Sequence, residues 1–395
     1  MTSLDKHKIV ARLDGLIVNL LLLTALACCV SEPLSRNLVR AVLVLAIARL
    51  LFDSSILTRV TEYKKLFTSM AAMCLMLAAS AIYGDNWEQI FANGDFRYNY
   101  YMLLVPVMIL FMTDISKLRL FAVIMILSLM TANCHVFYQW YIGNPRPTSW
   151  IHTSFMMTGM FYCLIVPLIA VFVAKRDETL NMRRLFAVCF VVSCFALILT
   201  GTRAALIATA LVCPLVFISC TRNLQKTLFF VGIGSFLLAA AVIAMPQTNA
   251  RFQTAFDMSY QSNSERILVW HSALDMFADR PLLGTGYGNF KQVYDNGYAS
   301  PNSVEDLKHA HSNYLQFLSE TGLIGLAVHL FMLYTILMWL WRRRMSSIYV
   351  LAAFFSTLTL ALFSFTDYTY IGFSGMRIQW LLLGAAIASE RLTRT

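Results

Sequence analysis

Apolar residues gather along this chain in runs of about 17–22, the length at which a helix crosses the hydrocarbon of a bilayer. The runs cover roughly 13–31, 37–52, 65–83, 98–113, 118–139, 154–174, 184–200, 203–220, 227–245, 315–341, 347–365 and 374–389. Short polar gaps separate them, and together they predict an all-α polytopic bundle of about twelve transmembrane helices. One gap, 246–313, is far longer than the others. The chain therefore divides into nine helices over 1–245, a partly helical loop over 246–313 and three helices over 314–395. Inside the loop, "NSERILVWHSALDMFADRP" (263–281) has Ile267, Trp270, Leu274 and Phe277 at helical spacing. It predicts an amphipathic helix that is capped by Ser262 or Ser264 and ends before Pro281.

Composition agrees with this pattern. Of 395 residues, 58% are hydrophobic and 13% charged, and the mean hydropathy is +0.64. A water-soluble protein of this size needs more polar surface. The formal charge of +10 is a topology signal. With the N-terminus in the cytoplasm, the gaps on that side are rich in Lys and Arg, while the opposite short loops hold only Arg36, Arg40, Arg97 and Arg146. By the positive-inside rule the long loop then faces outward, away from the cytoplasm. That loop carries more acids than bases, so the charge is no nucleic-acid footprint and no nucleic-acid partner is expected. All nine cysteines lie in apolar runs and none in the loop, so no disulfide framework is expected. The first run lacks a small-x-small cleavage site and is read as a retained helix.

Three stretches carry candidate chemistry. In "GTRAALIA" (201–208), Arg203 stands between two apolar runs. An arginine near membrane depth costs roughly 2.5–3.5 kcal/mol on insertion scales and persists where something anionic meets it. Gly201 and Thr202 permit a helix break, which sets Arg203 in the first turn of the next helix, beside its exposed N–H groups. The partner is then either a phosphate or diphosphate, or an internal acid such as Glu320 or Asp367; the remaining alternative is a side chain that snorkels to the interface. Arg266 lies off the apolar stripe of the loop helix, either as a solvated charge or as a second ligand for such an anion. "LLGTGYGNF" (282–290) is glycine-rich but lacks the strand-and-helix setting of a nucleotide fingerprint. Its glycines are read as turns that let the loop lie close on the membrane domain, with Tyr287 and Phe290 as anchors.

The third stretch is "KHAHSNYLQ" (308–316). His309 and His311 would share a face only in an extended segment. An HxH metal site wants a third ligand, for which Glu305 and Asp306 are the near candidates. The other readings are a general base, since imidazole titrates near neutral pH, or a structural hydrogen bond. Asn313, Gln316 and Glu320 follow at helical spacing, a polar stripe that is expected to line a water-filled cavity.

"GTRAALIA", "RILVWHSALDMFADRPLLGTGYGNF" and "HAHSNYLQFLSETGLIGL" resemble the shared region of the bacterial O-antigen ligase and polymerase superfamily, and within it O-antigen ligase most. The resemblance implies transfer of polysaccharide from undecaprenyl diphosphate, the donor's carrier, to lipid A–core, the acceptor. The site would face the periplasm in the inner membrane of a Gram-negative cell, among membrane lipids, with no cofactor and no metal. By position it implies that Arg203 and Arg266 bind the diphosphate and that His311 is the catalytic histidine. His309, Asn313 and Gln316 would be supporting residues. In many relatives asparagine follows the histidine directly, whereas here Ser312 intervenes before Asn313. The alternatives are an O-antigen polymerase, an oligosaccharyltransferase to protein and, from another class, a lipid-linked glycan transporter. A transporter would show paired repeats or broken helices in two halves.

Overall fold

A computed structural model describes residues 3–84, 88, 96–151, 155–175, 178–221, 225, 228, 232, 253, 254, 257, 259–371 and 373–394. Among these residues it contains helices and no strand: α1 Ser3–Ala27, α2 Glu32–Phe52, α3 Thr58–Thr61, α4 Lys64–Tyr83, α5 Leu104–Phe111, α6 Ile115–Tyr141, α7 Phe155–Ala174, α8 Leu180–Thr200, α9 Arg203–Thr221, α10 Gln261–Asp279, α11 Phe290–Val293, α12 Asn313–Arg343, α13 Ile348–Phe363 and α14 Phe373–Arg394. The all-α polytopic membrane class read from the sequence is the observed one.

Every predicted run falls on a described helix except 227–245, which lies outside the described residues apart from isolated positions. Among the described residues fewer than twelve helices have the length and apolarity of a full span. Seven of the described helices are long and apolar enough to cross a membrane, or eight if α2 and the helical segment after it, bent by 113°, form one broken span. The shortfall has local causes. The 98–113 run opens as a 3-10 helix and has only eight α-helical residues, and α13 has 16 residues. Helix α14 includes the fully buried Arg377, held by Glu32, by Ser374 Oγ at 2.6 Å and by Tyr101 Oη at 2.6 Å. Such a charge is tolerated at that depth because it is paired and bonded inside the bundle.

Helix α7 is the central post, with 89% of its span buried. Helices α8, α9, α13 and α14 pack around it. At one end of the bundle Glu390 gathers Tyr63, Arg343 and Arg394. The 261–311 segment covers the other end.

That segment is fixed to the bundle at a helix break. Helix α12 is interrupted at Gly322, with φ +63 and ψ −165. Backbone groups of the loop take up the interrupted hydrogen bonds: Leu323 N donates to Pro281 O at 2.8 Å, Thr285 N to Ser319 O at 3.0 Å and Gly286 N to Glu320 O at 2.8 Å. Irregular backbone at membrane depth is stable only where such partners are supplied. A Cβ on Gly322 would stand 2.3 Å from the Leu282 carbonyl, and one on Gly284 2.4 Å from that of Glu320. The glycine-rich stretch therefore does what the sequence suggests, and Tyr287 and Phe290 beside it are buried. Gly322→Ala is expected to cost about 2 kcal/mol or more, because it adds both a positive-φ penalty and a backbone clash. A lowered Tm of the detergent-solubilised protein would show it, and an unchanged Tm would mean that loop and helix separate freely.

Helix α10 departs from expectation in its buried face. Val269, Ala273 and Met276 are buried with Phe290, Tyr294, Leu307 and Ala310 in a small core, while Leu274 is exposed. The predicted stripe is rotated because residues 290–310 wrap the helix. Tyr260, without a side-chain cap bond, occupies the N-cap.

Candidate active site

Five chain segments converge at the loop-covered end. Helix α8 ends at Thr200, Gly201 takes φ +62, and α9 begins at Arg203. The first i→i−4 bond of α9 is Leu206 N to Thr202 O at 3.0 Å, so the amides of residues 203–205 have no intrahelical acceptor. They lie beside a small cavity lined by Gly201, Thr202, Arg203, Ala204, Arg266 and Asp367, with Arg146 and Phe155 on its rim. Arg203 Nη2 donates to Asn263 Oδ1 at 2.8 Å and Nη1 to Thr254 O at 3.1 Å. It thus holds the start of α10 as well as facing the cavity.

Arg266, on the second turn of α10, donates from Nη2 to Asp367 Oδ1 at 3.3 Å. Asp367 is 2% exposed and Arg266 21%. Of the two acids that the sequence offered as internal partners for Arg203, Asp367 instead pairs with Arg266. Glu320 accepts from Phe290 N at 2.9 Å.

Beyond Arg266 opens a larger cavity of about 410 Å³, which Arg146, Phe155, Ser262 and Arg266 share with the small one. His311 lines only the larger. It is the one non-glycine residue with positive φ among those described, at +49, a region that histidine occupies more readily than most side chains but still uncommonly. Its Nδ1 stands 3.9 Å from Asp367 Oδ1, beyond hydrogen-bond reach, and makes no hydrogen bond. A residue held in a sparse backbone region with an uncommitted ring nitrogen is a candidate for a functional position.

The supporting residues sort differently. His309 Nδ1 accepts the His311 amide at 3.3 Å, and the two ring centroids are 4.3 Å apart. Burial first, then the charges of His311, Arg266 and Lys308, pushes the His309 imidazole down to about 3, so it is a neutral acceptor at ordinary pH. Gln316 Oε1 accepts from Ala310 N at 2.7 Å. Asn313 donates to Thr369 Oγ1 at 2.8 Å and accepts from Thr369 N at 2.7 Å. The stripe of Asn313, Gln316 and Glu320 was expected to line a water-filled cavity. Its principal bonds instead tie backbone together, fixing the histidine segment and the loop that carries Asp367. Asp306 pairs with Lys291 at 2.6 Å and Glu305 accepts from Gln261 at 3.3 Å. Among the described residues no three His, Cys, Asp or Glu are grouped closely enough to hold a metal ion.

Sequence reading missed two members of this cluster as site residues. Arg146 was counted only as a loop charge. Its guanidinium lies over the Phe155 ring at 4.3 Å and borders both cavities. Asp367 was weighed only as a neutralising partner for Arg203. The one available signal was that each is a charge in a short gap at the same predicted face.

A sequence model of the family described as O-antigen ligase matches residues 188–330, the stretch that holds Arg203, Arg266, His309 and His311. Over 125 residues the chain is also 27% identical to a protein of Rickettsia prowazekii (strain Madrid E) named "putative polysaccharide ligase". That alignment covers 28% of this chain and 30% of the relative, so the likeness spans less than a third of the relative's length. Through this region, set in an all-helical membrane bundle, the chain is similar to the O-antigen ligase family.

Proposed function

We propose that this protein is an O-antigen ligase. In this reading it transfers polysaccharide from undecaprenyl diphosphate to lipid A–core at the periplasmic face of the inner membrane. One observation carries the reading: two adjoining cavities share Arg266, one holding Arg203 and a helix N-terminus, the other holding His311. The first suits a diphosphate. Guanidinium forks and unpaired amides at a helix start both favour phosphate oxygens, and Arg146 adds a third cation to the rim.

The reaction then runs as an in-line substitution. A sugar hydroxyl of the acceptor attacks the anomeric carbon of the donor while the bond from that carbon to the diphosphate oxygen breaks. The configuration inverts. Arg203 and Arg266 hold the diphosphate and stabilise the charge it gains on leaving. With its Nδ1 proton turned toward Asp367, His311 presents the Nε2 lone pair, which takes the hydroxyl proton. Asp367 orients Arg266 and would orient His311 once the 3.9 Å gap to its Nδ1 closes on substrate binding. Neutralised in this way, the diphosphate leaves without a general acid.

The test is transfer by the purified full-length chain from carrier-linked polysaccharide to lipid A–core, with and without EDTA. Ligated product in both conditions is expected. No product would overturn the reading. Product only on a second carrier-linked unit would reassign the chain to polymerisation, and loss with EDTA that Mg²⁺ or Zn²⁺ reverses would overturn the metal-free mechanism.

A further inference from the structure

The two cavities differ in chemistry as well as in size. The small one is bounded by Arg203, Arg266 and the first turn of α9. The larger has Tyr260, Gln261, Glu265 and Glu305 among its walls, with His311 beside them. An in-line substitution brings nucleophile and leaving group to opposite sides of one carbon. If the diphosphate occupies the small cavity, the nucleophile must come from the larger one, where the histidine stands. At about 410 Å³ that space falls within the usual range for small-molecule pockets.

Charge separates the two spaces further. Both cavities are bordered by Arg146 and Arg266, but the small one adds Arg203 and a single acid, Asp367, whereas the larger adds Glu265 and Glu305, so the small cavity is the better place for a diphosphate. A neutral polyhydroxyl ring is favoured, since carboxylate and amide groups accept and donate hydrogen bonds to vicinal hydroxyls. The two glutamates are not equivalent. Glu265 is buried and both its oxygens are engaged, by Ser303 Oγ at 2.6 Å and Val304 N at 2.9 Å, so it fixes the loop. Glu305 is exposed and meets Gln261 Nε2 at 3.3 Å, the long end of hydrogen bonding. A substrate hydroxyl that replaces it displaces one long, exposed hydrogen bond. Gln261 opens α10, and Glu305 lies six residues before His311. A sugar held between them would bring its hydroxyl up to the histidine.

We propose that the larger cavity is the acceptor site and that Glu305 and Gln261 are its hydroxyl-binding pair, recognising the terminal sugar of a neutral saccharide acceptor. This rests on the transfer reading above. The test uses the full chain and measures KM for each substrate in turn, with lipid A–core prepared from cells that lack O-antigen and with carrier-linked polysaccharide as donor. Glu305→Ala and Gln261→Ala are each expected to raise the acceptor KM roughly tenfold, the scale of one lost hydrogen bond to a charged or buried partner. Donor KM should stay within about twofold, a shift well under one such bond. Acceptor KM unchanged in both variants, or donor KM rising in step with it, overturns the assignment. In either case normal wild-type transfer shows that the ligase reading survives, whereas a wild-type chain that transfers nothing sinks both.

Discussion

His311→Ala is expected to lower turnover by roughly 10²–10⁴-fold, the range for loss of a general base, while the protein still inserts and retains the carrier-linked donor. Alanine at this position also meets the backbone conformation, φ +49, which it adopts reluctantly. His311→Asn is therefore the sharper variant: asparagine tolerates the left-handed region but cannot take the proton. Equal losses in the two variants would place the defect in the ring. A much milder loss in His311→Asn would place it in the backbone. His309→Ala should fall by about tenfold or less, because it removes one hydrogen bond to the His311 amide and no proton acceptor of use. An imidazole pushed down to about 3 is too weak a base to carry a proton at neutral pH. Loss at His309 alone would reverse the assignment of the two histidines, and equal total loss at both would favour a joint structural or metal role. Retained turnover in His311→Asn, at matched protein level, would remove general-base catalysis at this position.

What was legible in the sequence was local. The helix break at Gly201, the close-lying glycine stretch 282–290 and the positions of the apolar runs follow from backbone chemistry and hydropathy within a few residues. What was hidden depends on which distant segment arrives. Asp367 meets Arg266 across 101 residues of chain, and no spacing rule reaches that far. The buried face of α10 was misread because residues 290–310 fold back and cover Val269 and Met276 rather than Leu274. The polar stripe after the histidines was legible as polar and helical. That it would be spent on the backbone of residues 290, 310 and 369 was not. The histidine pair was the most ambiguous. Neither a helix nor a strand describes it, since one left-handed residue sets the two rings in different surroundings, His309 against the His311 amide and His311 at the larger cavity.

Arg203→Lys is expected to be nearly as damaging as Arg203→Ala, with a loss of about 10²-fold or more, the scale of one removed contact to a developing oxyanion. Lysine keeps the charge but not the planar fork that meets two phosphate oxygens at once. The structure gives Arg203 a second task, however. Its two terminal nitrogens hold Asn263 and the Thr254 carbonyl, so a variant also loosens the start of α10. Asn263→Ala separates the tasks, because it removes part of the anchorage and leaves the guanidinium in place. If anchorage were the whole role, Asn263→Ala would match Arg203→Ala in rate. If the guanidinium serves the diphosphate, Asn263→Ala stays within about tenfold of wild type, the scale of one hydrogen bond, and only the Arg203 variants lose donor binding. Arg266→Ala should resemble Arg203→Ala, and the double variant should lose much less than the product of the two, since both side chains act on one anion and their effects couple. Independent, fully multiplicative losses would mean that the two arginines do not share a ligand, and full activity in Arg266→Ala would return that side chain to a surface charge paired with Asp367.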